Sequence, residues 1–572
     1  MQNKINLTRL TVGLFVMLAT FAIVAWRIFY LSWSQHALYT QTSQAQADGV
    51  SNVLLRGNVY FSDKMGQEYL AATNKKFPVF LLTPSALDPQ IRDGELRALA
   101  STSGVSMEAI TRIADSGASG ARVVLKKLTD EQVISLKALR IRGVSIGYEA
   151  DRTYPLGTLA ADALGFLGYT DVGRAGQYGV EASYDDVLTG RTIKSASSRW
   201  NIWRTLLDWF GVADTTGSAT EDGPQDIILT IDKNIQEYAQ TVLDAVLKKY
   251  SAASGTLVVQ EPNTGRILAL ADSPTYDPNR YGGASSSVFV NGALTPFEPG
   301  SSFKPFTMAM GLETGSVTPT TTFDDSGDVI IDGYNIKNFN EGHFGVVTMT
   351  RVLEKSINTG VMWVAERVGN AKFLDFVVNM GFGQQTGVDL PGESSGNISN
   401  LYTGRRINFM TASFGQGITV TPLQLITGYS AIANGGQLMQ PRIVDAVRDA
   451  HGVVTKQEPK IIGTPFSLKT AAQLRTMLTS VVDNGFDKAR IARYDIAGKT
   501  GTAQIASPKG GYLDNEYNHS FVGFAPASNP KFVILIRMEK PQGITFAADS
   551  LSPSFRDMAL FLINYLNIPP TR

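Results

Sequence analysis

Cysteine is absent from the 572 residues, which excludes disulfide frameworks, thiolate metal sites and cysteine nucleophiles. Histidine is almost absent: His36, His343, His451 and His519 are isolated positions without metal-ligand spacing. Net charge is missing too, because 51 Lys+Arg balance 51 Asp+Glu. That balance argues against a nucleic-acid footprint, which is built on excess positive charge. With 43% apolar residues the chain is not of the disordered type. Its length allows about three to four domains at ~150 residues each, every one able to bury a core. Any catalysis must run on groups other than thiol and imidazole.

What is present begins with an uncharged run from Leu10 to Trp26, followed after Arg27 by Ile28, Phe29, Tyr30 and Leu31. A run of that kind can span a hydrocarbon core of ~30 Å. Lys4 and Arg9 precede it, and Arg27 can snorkel among Trp26, Tyr30 and Trp33 at the far interface. A cleavable signal peptide would end on small residues, whereas Trp26-Arg27-Ile28-Phe29-Tyr30 stands at that place. The pattern predicts a cytoplasmic tail at 1–9, an uncleaved transmembrane anchor at 10–31, and the rest of the chain outside the cytoplasmic membrane.

Residues 32–225 show short strand-like runs (77–82, 122–125, 144–148) among glycine-rich turns, without concentrated chemical groups, and read as an accessory domain ending in the linker 211–225. Just ahead of that linker, Trp200, Trp203, Leu206, Leu207 and Phe210 recur at helical spacing. Such a stripe requires cover, either from the accessory domain or from a membrane surface or membrane partner. From 226 onward a strand (226–232) leads into a helical pattern, and two β-rich runs follow, joined by the turn Pro262-Asn263-Thr264-Gly265. Helices are expected around 304–313, 348–367, 371–379, 420–434 and 469–484, then strands again after Tyr494, and a last helix at 552–566. Helices bracketed by strands of one antiparallel sheet make this an α+β arrangement.

Three short motifs carry chemistry. In Glu298-Pro299-Gly300-Ser301-Ser302-Phe303-Lys304 a turn at Gly300 opens a helix on which Ser301 and Lys304, three apart, share a face. A serine hydroxyl becomes a nucleophile only when a base takes its proton, and a desolvated lysine can be that base. Alone, Ser-x-x-Lys is a weak signal. Ser356-Ile357-Asn358 and Lys499-Thr500-Gly501-Thr502 follow in order, and two serines with two lysines can pass a proton from nucleophile to leaving amine without histidine. Gly501 is read as room for a substrate backbone beside an edge strand.

These three motifs in this order resemble the signature of penicillin-recognising serine enzymes. The wider chain is similar to the class B penicillin-binding proteins, the bitopic peptidoglycan D,D-transpeptidases. The resemblance extends over RTYPLGTLAADALGFLG (152–168), GQYGVEASYDDVLTG (176–190), FEPGSSFKP, GFGQQTGVDLPGE (381–393), SFGQGITVTPLQL (413–425), GKTGTAQ and SFVGFAPA (520–527). It departs at Tyr60-Phe61-Ser62 and at Gln260-Glu261-Pro262, away from the motifs. It implies an elongated β-rich pedestal at 32–225 and a transpeptidase domain at 226–572.

The resemblance also implies roles. Ser301 would be the acylated nucleophile, Lys304 its base, Ser356 the proton relay to the leaving amine, and Asn358 the amide that holds the donor backbone. Lys499 and Thr500 would organise the site and read the substrate carboxylate, with Gly501 and Thr502 completing the substrate-binding strand. The N–H groups of Ser301 and Thr502 would form an oxyanion hole. No cofactor or metal is implied. Implied partners are peptidoglycan stem peptides, β-lactams, the membrane, a SEDS-family glycosyltransferase and other divisome or elongasome proteins, with no nucleic acid. The alternatives are an inactive scaffold or β-lactam sensor, and a β-lactamase or D,D-carboxypeptidase. For the hydrolytic alternative the candidate base is Glu393, in a Glu-x-x-x-Asn pattern, which is otherwise read as part of an exposed connection between helices.

Overall fold

The computed structural model describes residues 56–170, 173–190, 223–339, 342–485, 487–507 and 511–572. The expected tail (1–9), anchor (10–31) and tryptophan-rich stretch (199–210) lie outside the described residues. Among the described residues no helix is long and apolar enough to cross a membrane. The chain forms two compact units.

The smaller unit is built on Thr73–Thr153. Within the strand Glu68–Leu82, the part from Thr73 onward pairs antiparallel with Val144–Thr153, in register from Thr73 opposite Thr153 to Leu82 opposite Val144, and its end also pairs with Arg122–Leu125. All three predicted strand runs are therefore strands. Three helices accompany them, Arg92–Ser103, Met107–Ala114 and Asp130–Ala138, and bury Leu96, Leu99, Ile110 and Leu136 with Phe80 and Leu82. The unit is thus mixed rather than β-rich. One helix start was encoded locally: Thr129 and Gln132 form a reciprocal capping box at the head of Asp130–Ala138.

The larger unit takes Gly57–Ala72, Tyr154–Leu188 and Gln225–Arg572, so the first two segments, read from sequence as accessory, pack here. Its centre is a five-stranded antiparallel sheet of β1 (Ser254–Gln260), β2 (Ile267–Ser273), β3 (Ala497–Ala506), β4 (Tyr512–Ala525) and β5 (Phe532–Glu539), in the order β3-β4-β5-β1-β2. Leu257-Val258-Val259 in β1 and Val533 to Ile536 in β5 are wholly buried. Such continuous apolar runs, without alternation, belong to a sheet covered on both faces. The cover consists of α1 (Lys233–Lys249) with the last helix on one side and α5 (Pro422–Asn434) and α6 (Leu468–Asn484) on the other, with α2 (Lys304–Glu313) packed against α6. This is the α+β arrangement expected from the element order. The helix expected over 348–367 is two helices instead, α3 (Met349–Glu354) and α4 (Asn358–Val368). The break falls on Ser356, whose φ of 55° is incompatible with a continuing right-handed helix.

Candidate active site

The three motifs meet where α2, the break between α3 and α4, and the edge strand β3 converge. Gly300 adopts φ 54° and donates its N–H to Gly415 O at 3.0 Å. The chain then makes a single 3-10 turn, Gly300–Phe303, before α2 starts at Lys304. Ser301 is half-buried on that turn, and its neighbour Ser302 is anchored by Oγ donating to Pro299 O at 2.6 Å while Tyr429 Oη donates to Ser302 O at 2.7 Å. The nucleophile candidate therefore stands on a turn pinned on both sides.

Gly501 has a packing role within the fold. A Cβ there would lie 2.4 Å from Ser520 Oγ and 2.7 Å from Pro299 O. The missing side chain makes room for the Ser301-bearing turn against β3. Glu298 secures the same turn: its Oε1 accepts from Gly417 N at 2.9 Å, and burial raises its carboxyl above the usual range.

Lys304 and Lys499 are both completely buried, at 0% exposure. Each donates to the Ser356 hydroxyl at 3.1 Å; Lys304 also reaches Ser356 O, and Lys499 reaches Thr500 O at 3.1 Å. Desolvation, and next the charge of Lys499, pushes the Lys304 ammonium well below its ordinary value. Desolvation brings Lys499 down to about 7. Two amines that are easily deprotonated near neutral pH thus bracket one hydroxyl. The i, i+3 spacing did bring Ser301 and Lys304 to one site, although the Lys304 ammonium is directed to Ser356.

Ser301, Ser356, Asn358, Thr500 and Thr502 line one cleft of about 900 Å³, with Lys304, Lys499 and Gly501 behind its wall. Asn358 Nδ2 donates to Lys337 O at 3.0 Å, and Thr502 Oγ1 accepts from Ala547 N at 3.1 Å. Phe339 and Phe546 meet edge to face at 5.2 Å beside the cleft. The two aromatics were not signalled by the sequence, because their lining role comes from loops brought together only in the fold; Gln416 and Gln504, which also line the cleft, fall within SFGQGITVTPLQL and GKTGTAQ. Glu393 is not among the lining residues. Its carboxylate accepts from Thr386 N at 2.7 Å, Thr386 Oγ1, and Gly387 N at 3.0 Å, which ties down the 385–387 loop.

A serine on a pinned turn, two desolvated lysines and a second hydroxyl between them constitute the equipment of serine acyl transfer, and on this α+β fold they define a penicillin-recognising serine enzyme. Comparisons with known proteins agree. Residues 255–558 match the penicillin binding protein transpeptidase domain, and residues 54–199 match the penicillin-binding protein dimerisation domain. Stage V sporulation protein D of Bacillus subtilis is 31% identical over 512 residues, covering 88% of this chain and 77% of that protein. Peptidoglycan D,D-transpeptidase FtsI of Escherichia coli is 30% identical over 480 residues, covering 83% and 77% respectively. The crystal structure of penicillin binding protein 3 from Mycobacterium tuberculosis in its apo form shares 32% identity at a TM-score of 0.64, over 74% of this chain and 92% of that one. The chain belongs to the class B penicillin-binding protein family.

Proposed function

We propose that this chain is a peptidoglycan D,D-transpeptidase that cross-links stem peptides through an acyl-enzyme on Ser301 and is inhibited by β-lactams. The observation that carries the reading is the pair of fully buried lysines converging on the Ser356 hydroxyl beside Ser301. Relatives named peptidoglycan D,D-transpeptidase, and a related penicillin binding protein 3 structure complexed with ampicillin, support the substrate and the inhibitor class.

The site residues are assigned as follows. Neutral Lys304 takes the Ser301 proton as Oγ attacks the carbonyl carbon of the penultimate D-Ala, forming a tetrahedral intermediate held by the N–H groups of Ser301 and Thr502. Lys304 passes that proton to Ser356 Oγ as Ser356 gives its own to the departing amine and the C–N bond to the terminal D-Ala breaks, which leaves an ester on Ser301 and Lys304 neutral again. Asn358 holds the donor backbone, while Lys499 and Thr500 read the terminal carboxylate. An amine of a neighbouring stem peptide then attacks the ester, forming the new amide and restoring Ser301. With Glu393 bonded into its own loop, the carboxylate that a β-lactamase reading would use is engaged elsewhere.

The anchor at 10–31, with Lys4 and Arg9 inside, supports a single-pass protein whose catalytic unit faces the outside of the cytoplasmic membrane. There the accessory segment serves as the pedestal, and a SEDS-family glycosyltransferase and other division or elongation proteins are the expected partners. The test of the reaction is acyl transfer from a D-Ala-D-Ala donor in the presence of an added D-amino acid. The amide-exchanged product is expected to exceed the hydrolysed one, and exclusive hydrolysis would favour a carboxypeptidase.

A further inference from the structure

We propose that Asn338, held in orientation by the buried carboxylate of Asp325, is a positioning residue that fixes the Ser356-Ile357-Asn358 turn for acyl transfer. The inference rests on the reading that Ser356 and Asn358 serve the reaction. It starts from α4, whose first residue is Asn358. The first N–H groups of a helix need an outside acceptor, and the residue before α4, Ile357, offers no side-chain cap. Asn338 supplies one from a distant loop: its Oδ1 accepts from Asn358 N at 2.9 Å and from Thr359 N at 3.2 Å.

An amide can face either way, and here the choice is forced. Asn338 Nδ2 donates to both oxygens of Asp325, at 3.0 and 2.9 Å, and to Gly342 O at 3.0 Å. Both Asp325 oxygens also accept from other N–H and O–H donors, so they act as acceptors and turn Nδ2 toward themselves and Oδ1 toward the helix. Asp325 is 0% and Asn338 4% exposed. The carboxylate is held in turn by Gly327 N at 3.1 Å, Phe344 N at 3.0 Å and Thr359 Oγ1 at 2.5 Å. Lys337 O, on the residue before Asn338, accepts from Asn358 Nδ2, so two consecutive residues grip Asn358 at backbone and side chain. Immediately ahead lies Ser356 at φ 55°, a backbone state that persists only where its surroundings over-determine it. The Asp325–Asn338 pair is that surrounding structure, and it aims the Ser356 hydroxyl between the two lysines. Neither residue is a reacting group; each acts through the turn.

The test is the rate of acylation by a fluorescent penicillin, measured on the full chain. Asn338→Ala is expected to acylate ~10- to 100-fold more slowly, the cost of a small misplacement in a reacting constellation. Asn338→Asp keeps the acceptor but sets two carboxylates against each other. Its rate relative to wild type should be low at about pH 8 and recover toward about pH 6 as the pair takes up a shared proton. Rates are compared only where circular dichroism shows each variant folded at both pH values, so that a general loss of stability does not set the ratio. Acylation of Asn338→Ala within about twofold of wild type would overturn the inference; if that variant fails to fold, a pH-independent ratio for Asn338→Asp does so. Ser356→Ala and Asn358→Ala are run alongside. Slow acylation in those two with normal acylation in Asn338→Ala sinks the positioning role alone, whereas normal acylation in both sinks the catalytic reading beneath it.

Discussion

Two lysines with no exposed surface, both hydrogen-bonded to one hydroxyl, cannot both carry an ordinary ammonium charge. Desolvation holds Lys499 to about 7 and depresses Lys304 further through the added repulsion of its neighbour. Acylation by penicillin needs Lys304 neutral, so its rate should rise with pH and level off well below the ordinary lysine value of 10.5; a rise that continues to that value would show that Lys304 is not desolvated in solution. The same burial has a stability consequence. The unfolded chain keeps the Lys499 proton up to 10.5 while the folded chain releases it near 7, so between these values the unfolded state binds more protons and stability rises with pH. Lys499→Met should therefore abolish acylation and yet stabilise the fold at pH 7, by about 1–4 kcal/mol. Thermal melting at pH 7 checks this, and a melting temperature below that of wild type would contradict it. The three motifs made these residues legible in sequence. Their burial was not, because the elements packed around α2 and β3, chiefly α4, α6 and β4, are far apart along the chain.

At the scale of elements, the site depends on how closely a turn and a strand approach. Gly501 on β3 faces Pro299 O and Ser302 Oγ, so Gly501→Ala forces the Ser301 turn away from the strand. The expected cost is ~1–3 kcal/mol of stability, as for overpacking in a tight core, together with a fall in acylation rate. Denaturant unfolding and penicillin labelling measure the two effects, and a variant unchanged in both would remove the packing role. Most of the elements around the site were readable: α2 runs Lys304–Glu313 as the apolar run after Lys304 suggested, and Pro422 with the Thr421 and Gln424 capping box marks the start of α5. The break at Ser356 was not readable, since Glu354-Lys355-Ser356-Ile357-Asn358 contains neither glycine nor proline. Tertiary contacts from Asn338 and the lysines impose it. The helices of the smaller unit escaped for another reason: Arg92–Ser103 has Gly94 and many polar residues, and its burial of Leu96 and Leu99 is decided by packing.

On the scale of the whole molecule, the chain carries a catalytic unit and an accessory unit, and residues 10–31 are proposed as its anchor. Segments 57–72 and 154–188 pack with the catalytic unit although they are interleaved in sequence with the accessory one, an arrangement that no composition shift along the chain announces. Topology is checked with reporters fused after residue 50, which should be active only as extracytoplasmic reporters; cytoplasmic activity would reverse the orientation. The central claim is covalent chemistry at Ser301. Benzylpenicillin is incubated with the protein, and the intact mass and then the digested peptides are measured. The account predicts one penicilloyl group per chain, on the peptide containing Ser301, stable for minutes or longer and absent in Ser301→Ala. A penicilloyl group on any other residue, or undiminished labelling of Ser301→Ala, would contradict it.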